Sequence, residues 1–154
     1  MEIPASMKDE LGAWNSGKGI DLESWIGCEG SFSLAIGYAT LFWPSFEEVD
    51  GYIVRSGVSR ECLKSWASRE GANRQSVEAL VNHEHLADIQ YVGCPDCSSD
   101  KLVALGRVLK EIYEAKLAYQ FPNRKFCVSL YEPEDPEDLA AYEISFWQVG
   151  GDAT

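Results

Sequence analysis

Residues 100–146 read DKLVALGRVLKEIYEAKLAYQFPNRKFCVSLYEPEDPEDLAAYEISF, and this stretch decides the fold. From Asp100 to Tyr119, the residues Leu102, Leu105, Val108, Leu109, Ile112, Leu117 and Tyr119 form an apolar stripe at helical spacing. Lys110 and Glu114 make an exposed i,i+4 pair on the other side, and Pro122 ends the helix. Two segments with a period of two follow. Phe126, Val128 and Leu130 share one face of the first, and Tyr142, Ile144 and Phe146 share one face of the second. As sequential neighbours, these strands are expected to pair with each other. The connection between them holds two prolines and five acids, which predicts a solvated loop with a turn of helix at Asp138 to Ala141.

Upstream, Gly51-Tyr52-Ile53-Val54-Arg55 is short, β-branched and bounded by glycines, and reads as a strand. Ser59 reads as the N-cap of a helix that turns Leu63 and Trp66 inward. Ser76 reads as a second cap, with Val77, Leu80 and Val81 opening a stripe that continues through Ala87 or Ile89. Ser31 to Trp43 carries both an alternation of large and small residues and a helical spacing of Leu34, Tyr38, Leu41 and Phe42. Its length and the following Pro44 favour a helix. The expected architecture is α+β. A small, mostly antiparallel sheet is formed by the C-terminal strand pair and the short strand near 51–55, with several helices packed on one face. The 154 residues suit a single globular domain, 1–154.

Charge narrows the range of partners. Thirteen Lys and Arg against 25 Asp and Glu leave a net −12, the wrong sign for phosphate backbones or anionic lipid. Residues 1–50 hold nine acids and two lysines, residues 51–130 nine acids and eleven bases, and residues 131–154 seven acids and no base. Two acidic segments flanking a weakly basic one predict surfaces of opposite sign. No apolar run approaches the roughly 20 residues of a membrane span. The opening Met-Glu-Ile-Pro-Ala-Ser has neither a basic nor an apolar leader region. With an odd count of cysteines (Cys28, Cys62, Cys94, Cys97, Cys127), the expectation is a cytoplasmic chain with free or metal-bound thiols.

Cys94-Pro95-Asp96-Cys97 is the most specific local motif, because a C-x-x-C turn presents two thiolates to tetrahedral zinc. His83 and His85 lie upstream and complete a Cys₂His₂ set on paper. On a continuous helix over 76–89, however, positions i and i+2 point about 200° apart. The imidazoles converge only where the helix stops before His83 or gives way to a strand. In its second residue the tetrad is also similar to a glutaredoxin motif, which implies a strand at Ile89 to Val92 and a helix N-terminus that lowers a thiol pKa. The chain departs from that pattern in having only Pro122 nearby and in ending on a strand. The plainer reading is two ordinary cysteines at a proline turn.

Other motifs stop short. Gly12-x₄-Gly17-Lys18-Gly19 lacks the hydroxyl residue and the preceding strand of a phosphate loop. Glu84, His85 and Asp88 invite acid–base chemistry, with His83 or His85 as the general base, but carboxylates beside a histidine on a polar helical face are usually solvated surface. Trp147 is out of phase with Tyr142, Ile144 and Phe146, and Tyr131 and Cys127 share that phase on the other strand. An aromatic patch beside the acidic connection is a protein-binding surface unless a helix covers it. The leading expectation is therefore a small acidic protein that binds another protein as an inhibitor, immunity-type factor or adaptor. Its contact residues are Tyr131, Glu134, Asp135, Glu137, Asp138 and Trp147, its partner carries a basic surface, and it uses no cofactor. The alternative is a zinc or thiol-redox protein centred on Cys94 and Cys97, with His83 and His85. An edge strand near the C-terminus leaves room for a homodimer by strand addition.

Overall fold

The computed structural model describes residues 2–150. Three helices come first: α1 (Ala5–Gly17, broken at Trp14 to Ser16), α2 (Leu22–Glu29) and α3 (Phe32–Phe42). Asp21 and Ser31 cap the second and third, accepting from the Ser24 and Leu34 amides at 2.9 and 3.2 Å. The helical reading of Ser31 to Trp43 holds. Asp100 anchors α1 to the rest of the molecule, its carboxylate accepting from the Ser6 amide at 2.8 Å and the Ser6 hydroxyl at 2.9 Å. Those donors hold the Asp100 carboxyl well below the usual carboxylate range.

Next comes a hairpin, β1 (Phe46–Val49) and β2 (Tyr52–Arg55), in antiparallel register with Val49 opposite Tyr52. Its two-residue turn is Asp50-Gly51, both at positive φ (52° and 85°), a conformation that Asp tolerates and Gly adopts freely. Helices α4 (Arg60–Ala67) and α5 (Arg74–Val81) follow. Ser59 caps α4 as expected, accepting from the Cys62 amide at 3.1 Å. For α5 the cap is Asn73. Ser76 sits inside the first turn and completes a capping box, because its side chain reaches back to the Asn73 amide.

The chain then forms β3 (Glu84–His85), a short 3₁₀ helix at Leu86–Ile89, the long α6 (Ser99–Gln120), β4 (Phe126–Tyr131), a 3₁₀ turn at Leu139–Ala141 and β5 (Glu143–Gln148). Strands β3, β5 and β4 make a three-stranded antiparallel sheet in that order. The α+β class is as expected. The strand near 51–55, however, belongs to a separate two-stranded sheet.

Helix α6 lies on the face carrying Val128, Ile144 and Phe146, and buries Leu102, Leu109, Tyr113 and Leu117 against it. At Gly106 the helix is closely packed by the side chains of β4 and the 3₁₀ helix: a Cβ there meets Leu130 Cδ1 at 2.6 Å and Leu86 Cδ1 at 2.7 Å. Tyr119, which the stripe places inward, is exposed, and Tyr113 takes the inward role. A smaller cluster of Val49, Val54, Leu63 and Val77 fixes α4 and α5 to the hairpin.

Two buried polar side chains join the sheets. Glu78 accepts from the Ile53 amide of β2 and the Gln148 amide of β5, both at 2.7 Å. Asn82, one turn further, accepts from the Arg55 amide at 3.1 Å and donates to the carbonyls of Ile53 at 2.8 Å and Phe146 at 3.3 Å. Side chains of α5 thus satisfy two strand edges that do not bond to each other.

Candidate functional site

Asn82 also explains how the two histidines come together. Its side chain is drawn between the sheets, and α5 stops at Val81 instead of running on to Ile89. The chain leaves in extended form and pairs Glu84 with Ile144 and His85 with Glu143. Residues i and i+2 of an extended segment point the same way. The His83 and His85 rings accordingly lie 5.3 Å apart, nearly perpendicular at 87°. This is the arrangement in which the sequence allows the imidazoles to converge. His83 Nδ1 bonds the Leu80 carbonyl, and His85 Nδ1 the Ala140 carbonyl at 2.8 Å, with a Glu143 carboxylate oxygen at 3.4 Å. A carbonyl only accepts, so each Nδ1 carries a proton and donates it, which leaves Nε2 as the other nitrogen of each ring.

The histidines border a cleft of about 270 Å³ that Leu41, Asp88, Leu109 and Tyr113 also line. Glu84 is held by the Tyr113 hydroxyl, which donates to it at 2.7 Å, and by an ion pair with Arg55. Burial pushes the Tyr113 hydroxyl above the ordinary tyrosine range, with Arg55 opposing. Imidazole, carboxylates and phenol thus share one cleft, a set competent for proton transfer. Among the described residues, no group of three or more His, Cys, Asp or Glu side chains is disposed to hold a metal ion.

Cys94 and Cys97 lie on the turn that leads into α6, where the Cys97 amide donates to the Cys94 carbonyl at 3.3 Å. Both thiols are free and half-buried, and Cys97 packs against the main core. Burial pushes the Cys97 thiol up, as do Cys94 and Asp96, against a smaller opposing effect of Lys101. An activated redox thiol needs the opposite shift. The segment before the turn is a 3₁₀ helix and a bend, not the strand that the glutaredoxin resemblance implies. Iodoacetamide at pH 8 is therefore expected to label exposed Cys28 and Cys62 first, with Cys97 slower by roughly tenfold or more. Peptide mass spectrometry over a time course measures the order, and Cys97 reacting first would reverse this conclusion.

The residues expected at a protein-binding patch divide between the two ends of the β4–β5 hairpin. Tyr131 stands opposite Glu143, while Trp147 stands opposite Cys127 at the far end, about 13 Å away along the strands. Between them the Ser145 hydroxyl donates to the Ala79 carbonyl of α5 at 2.6 Å, so this face is partly covered, and Trp147 is half-buried. Tyr131 is 53% exposed and leads directly into the acidic connection. There Asp135 accepts from the Glu137 amide at 3.0 Å, and the Tyr142 hydroxyl donates to the Pro136 carbonyl at 3.4 Å. Arg107 reaches Glu132 at 3.4 Å. Among the described residues, no base pairs with Glu134, Asp135, Glu137 or Asp138.

One surface escapes the sequence reading altogether: no side chain of α2 or α3 is fully buried, although α3 is uncharged and mostly apolar. The available signal was the absence of any charge from Gly30 to Phe46 in a chain where a quarter of residues are charged. Comparison with known proteins finds no matching family model, curated protein or solved structure, so function must be argued from these sites. No helix among the described residues is long and apolar enough to cross a membrane.

Proposed function

We propose that this chain acts by binding a second protein with a basic surface, through Tyr131 and the connection holding Glu134, Asp135, Glu137 and Asp138. The observation that carries this reading is an exposed tyrosine continuous with four carboxylates that no base among the described residues pairs with. Tyrosine supplies rigid contact area at low entropic cost, and unpaired carboxylates steer a cationic surface into encounter. The edge strand β4 adds a row of backbone groups that a partner strand can engage. The net charge of −12 argues against nucleic acid as the partner. Five free cysteines favour a reducing compartment, the cytoplasm, as the place of action. A zinc or thiol-redox role centred on Cys94 and Cys97 has weaker support, since Cys97 is not an activated thiol.

A photo-crosslinking benzoylphenylalanine at position 131 is expected to capture a basic protein that the same group at exposed Tyr119 does not. Neutralising Glu134, Asp135, Glu137 and Asp138 to their amides is then expected to slow association with that protein about tenfold at low salt and to flatten its salt dependence. Equal capture from both positions, or association rates unchanged across a salt series, would overturn the reading.

A further inference from the structure

We propose that the exposed face of α2 and α3 is the seat of a second copy of this chain, in a two-fold dimer. Helix α3 is held from one side only. Phe42 packs against the core, Leu41 lines the histidine cleft, and the Tyr38 hydroxyl accepts from Gln90 Nε2. The other side is bare: Phe32 is 91% and Ile36 70% exposed, one turn apart on the same helical face, and half-exposed Trp43 continues that stripe, while Leu34 lies on the opposite side of the helix and exposed Ile26 belongs to α2. On α2, the Trp25 indole Nε1 is shut off from solvent without an acceptor. Each helix is closed by its own N-cap, at Asp21 and Ser31.

Area and charge together select the occupant. Burying an aromatic side chain removes about 150–250 Å² from water. Phe32, Ile36 and Trp43 with the small side chains between them, together with Ile26 of α2, supply the larger part of the ~800 Å² per partner of a standard interface. An exposed apolar patch of that size marks an interaction site. Residues 30–46 carry no charge, whereas Glu23, Glu29, Glu47, Glu48 and Asp50 flank them on both sides in sequence. The stripe itself is uncharged and a nearby cation, Lys116 Nζ at 4.7 Å from the Trp43 ring centroid, is already held there, so a basic partner gains nothing, and an anionic lipid surface is repelled by the acidic borders. Two copies can meet neutral on neutral, keeping their net −12 charges apart, and a two-fold axis needs only one such patch.

Sedimentation equilibrium of the full chain from 1 to 200 μM tests this. The wild type is expected to reach twice the monomer mass within that range. A Phe32→Glu, Ile36→Glu variant is expected to stay monomeric throughout, with unchanged circular dichroism and Tm because neither side chain is buried. Tyr119→Glu, exposed on α6, is expected to dimerise like the wild type. A wild type that is monomeric at every concentration overturns the proposal, and so does a dimer that survives the double substitution. Survival combined with loss on Ser129→Pro would place the interface on β4 instead. Wild-type monomer that floats with phosphatidylcholine vesicles would assign the face to a lipid surface. None of these outcomes depends on Tyr131 or the acidic connection.

Discussion

Replacing Glu78 with alanine is expected to lower the folding free energy by about 3–5 kcal/mol, as breaking a buried charged hydrogen-bonded centre typically does. That is a large part of the roughly 5–15 kcal/mol available to a domain. Glu78 is fully buried. Its carboxylate takes the amides of Ile53 and Gln148, 25 residues before it and 70 after it, and also the Gln148 side-chain amide. Alanine leaves the buried Ile53 amide and the half-buried Gln148 amide without an acceptor between strand edges that share no backbone hydrogen bond. Asn82→Ala removes the companion bonds to Ile53, Arg55 and Phe146. The double variant is expected to lose less than the sum of the two, because either change alone already separates the edges. Urea denaturation with an unchanged slope measures all three, and a loss below about 1 kcal/mol for Glu78→Ala would refute this account of the junction.

The second large effect belongs to Phe146→Ala, with an expected loss of about 3–5 kcal/mol. Phe146 on β5 lies edge-on to Phe46 of β1 at 4.8 Å and to Tyr113 of α6 at 6.3 Å, and those two meet at 5.6 Å. Three elements from both sheets and the long helix therefore share one aromatic cluster, and a cavity there loosens all of them. Tyr119→Ala, on the same helix but exposed, is expected to change stability by no more than about 0.5 kcal/mol. Equal effects at the two positions would restore Tyr119 to the core and contradict the helix orientation described above.

That pair of tyrosines shows how far periodicity reaches. Helix α6 and strands β4 and β5 were legible because apolar residues recur at 3.6 and at two, and a stripe about 100° wide survives small errors of phase. The inward rotation of α6 is finer than that stripe and depends on Gly106 letting Leu86 and Leu130 close in. In α5 the discrepancy is larger. Val77, Leu80 and Val81 mark one face, yet Leu80 is partly exposed while Val77, Glu78 and Asn82 are buried. Two hydrogen-bonding side chains that meet strand edges outcompete one leucine for the inward sector. The Asp50-Gly51 pair is a two-residue hairpin signal that the reading of 51–55 as a lone strand passed over, and with it β1.

The sites divide along the same line. The acidic connection, its prolines and the emergence of Tyr131 beside it are visible in the order of residues, because a charged, proline-bearing loop stays in water whatever surrounds it. The separation of Tyr131 from Trp147 is not visible, since shared phase on paired strands says nothing of distance along them. Nor is the meeting of His83 with His85, which requires α5 to end where Asn82 turns inward to partners at Ile53 and Phe146.

What the sequence determined alone is therefore local and periodic. It includes the class of fold, the long helix, the C-terminal hairpin and the cap at Ser59. Each rests on contacts within a few residues, or on a pattern that any packing must respect. Tertiary structure decided which polar groups are buried, where α5 stops, which imidazoles meet and which apolar helix is left uncovered. Those outcomes depend on partners 25 to 70 residues away, and a buried donor or acceptor is satisfied only when both strands that need it have come to the same place.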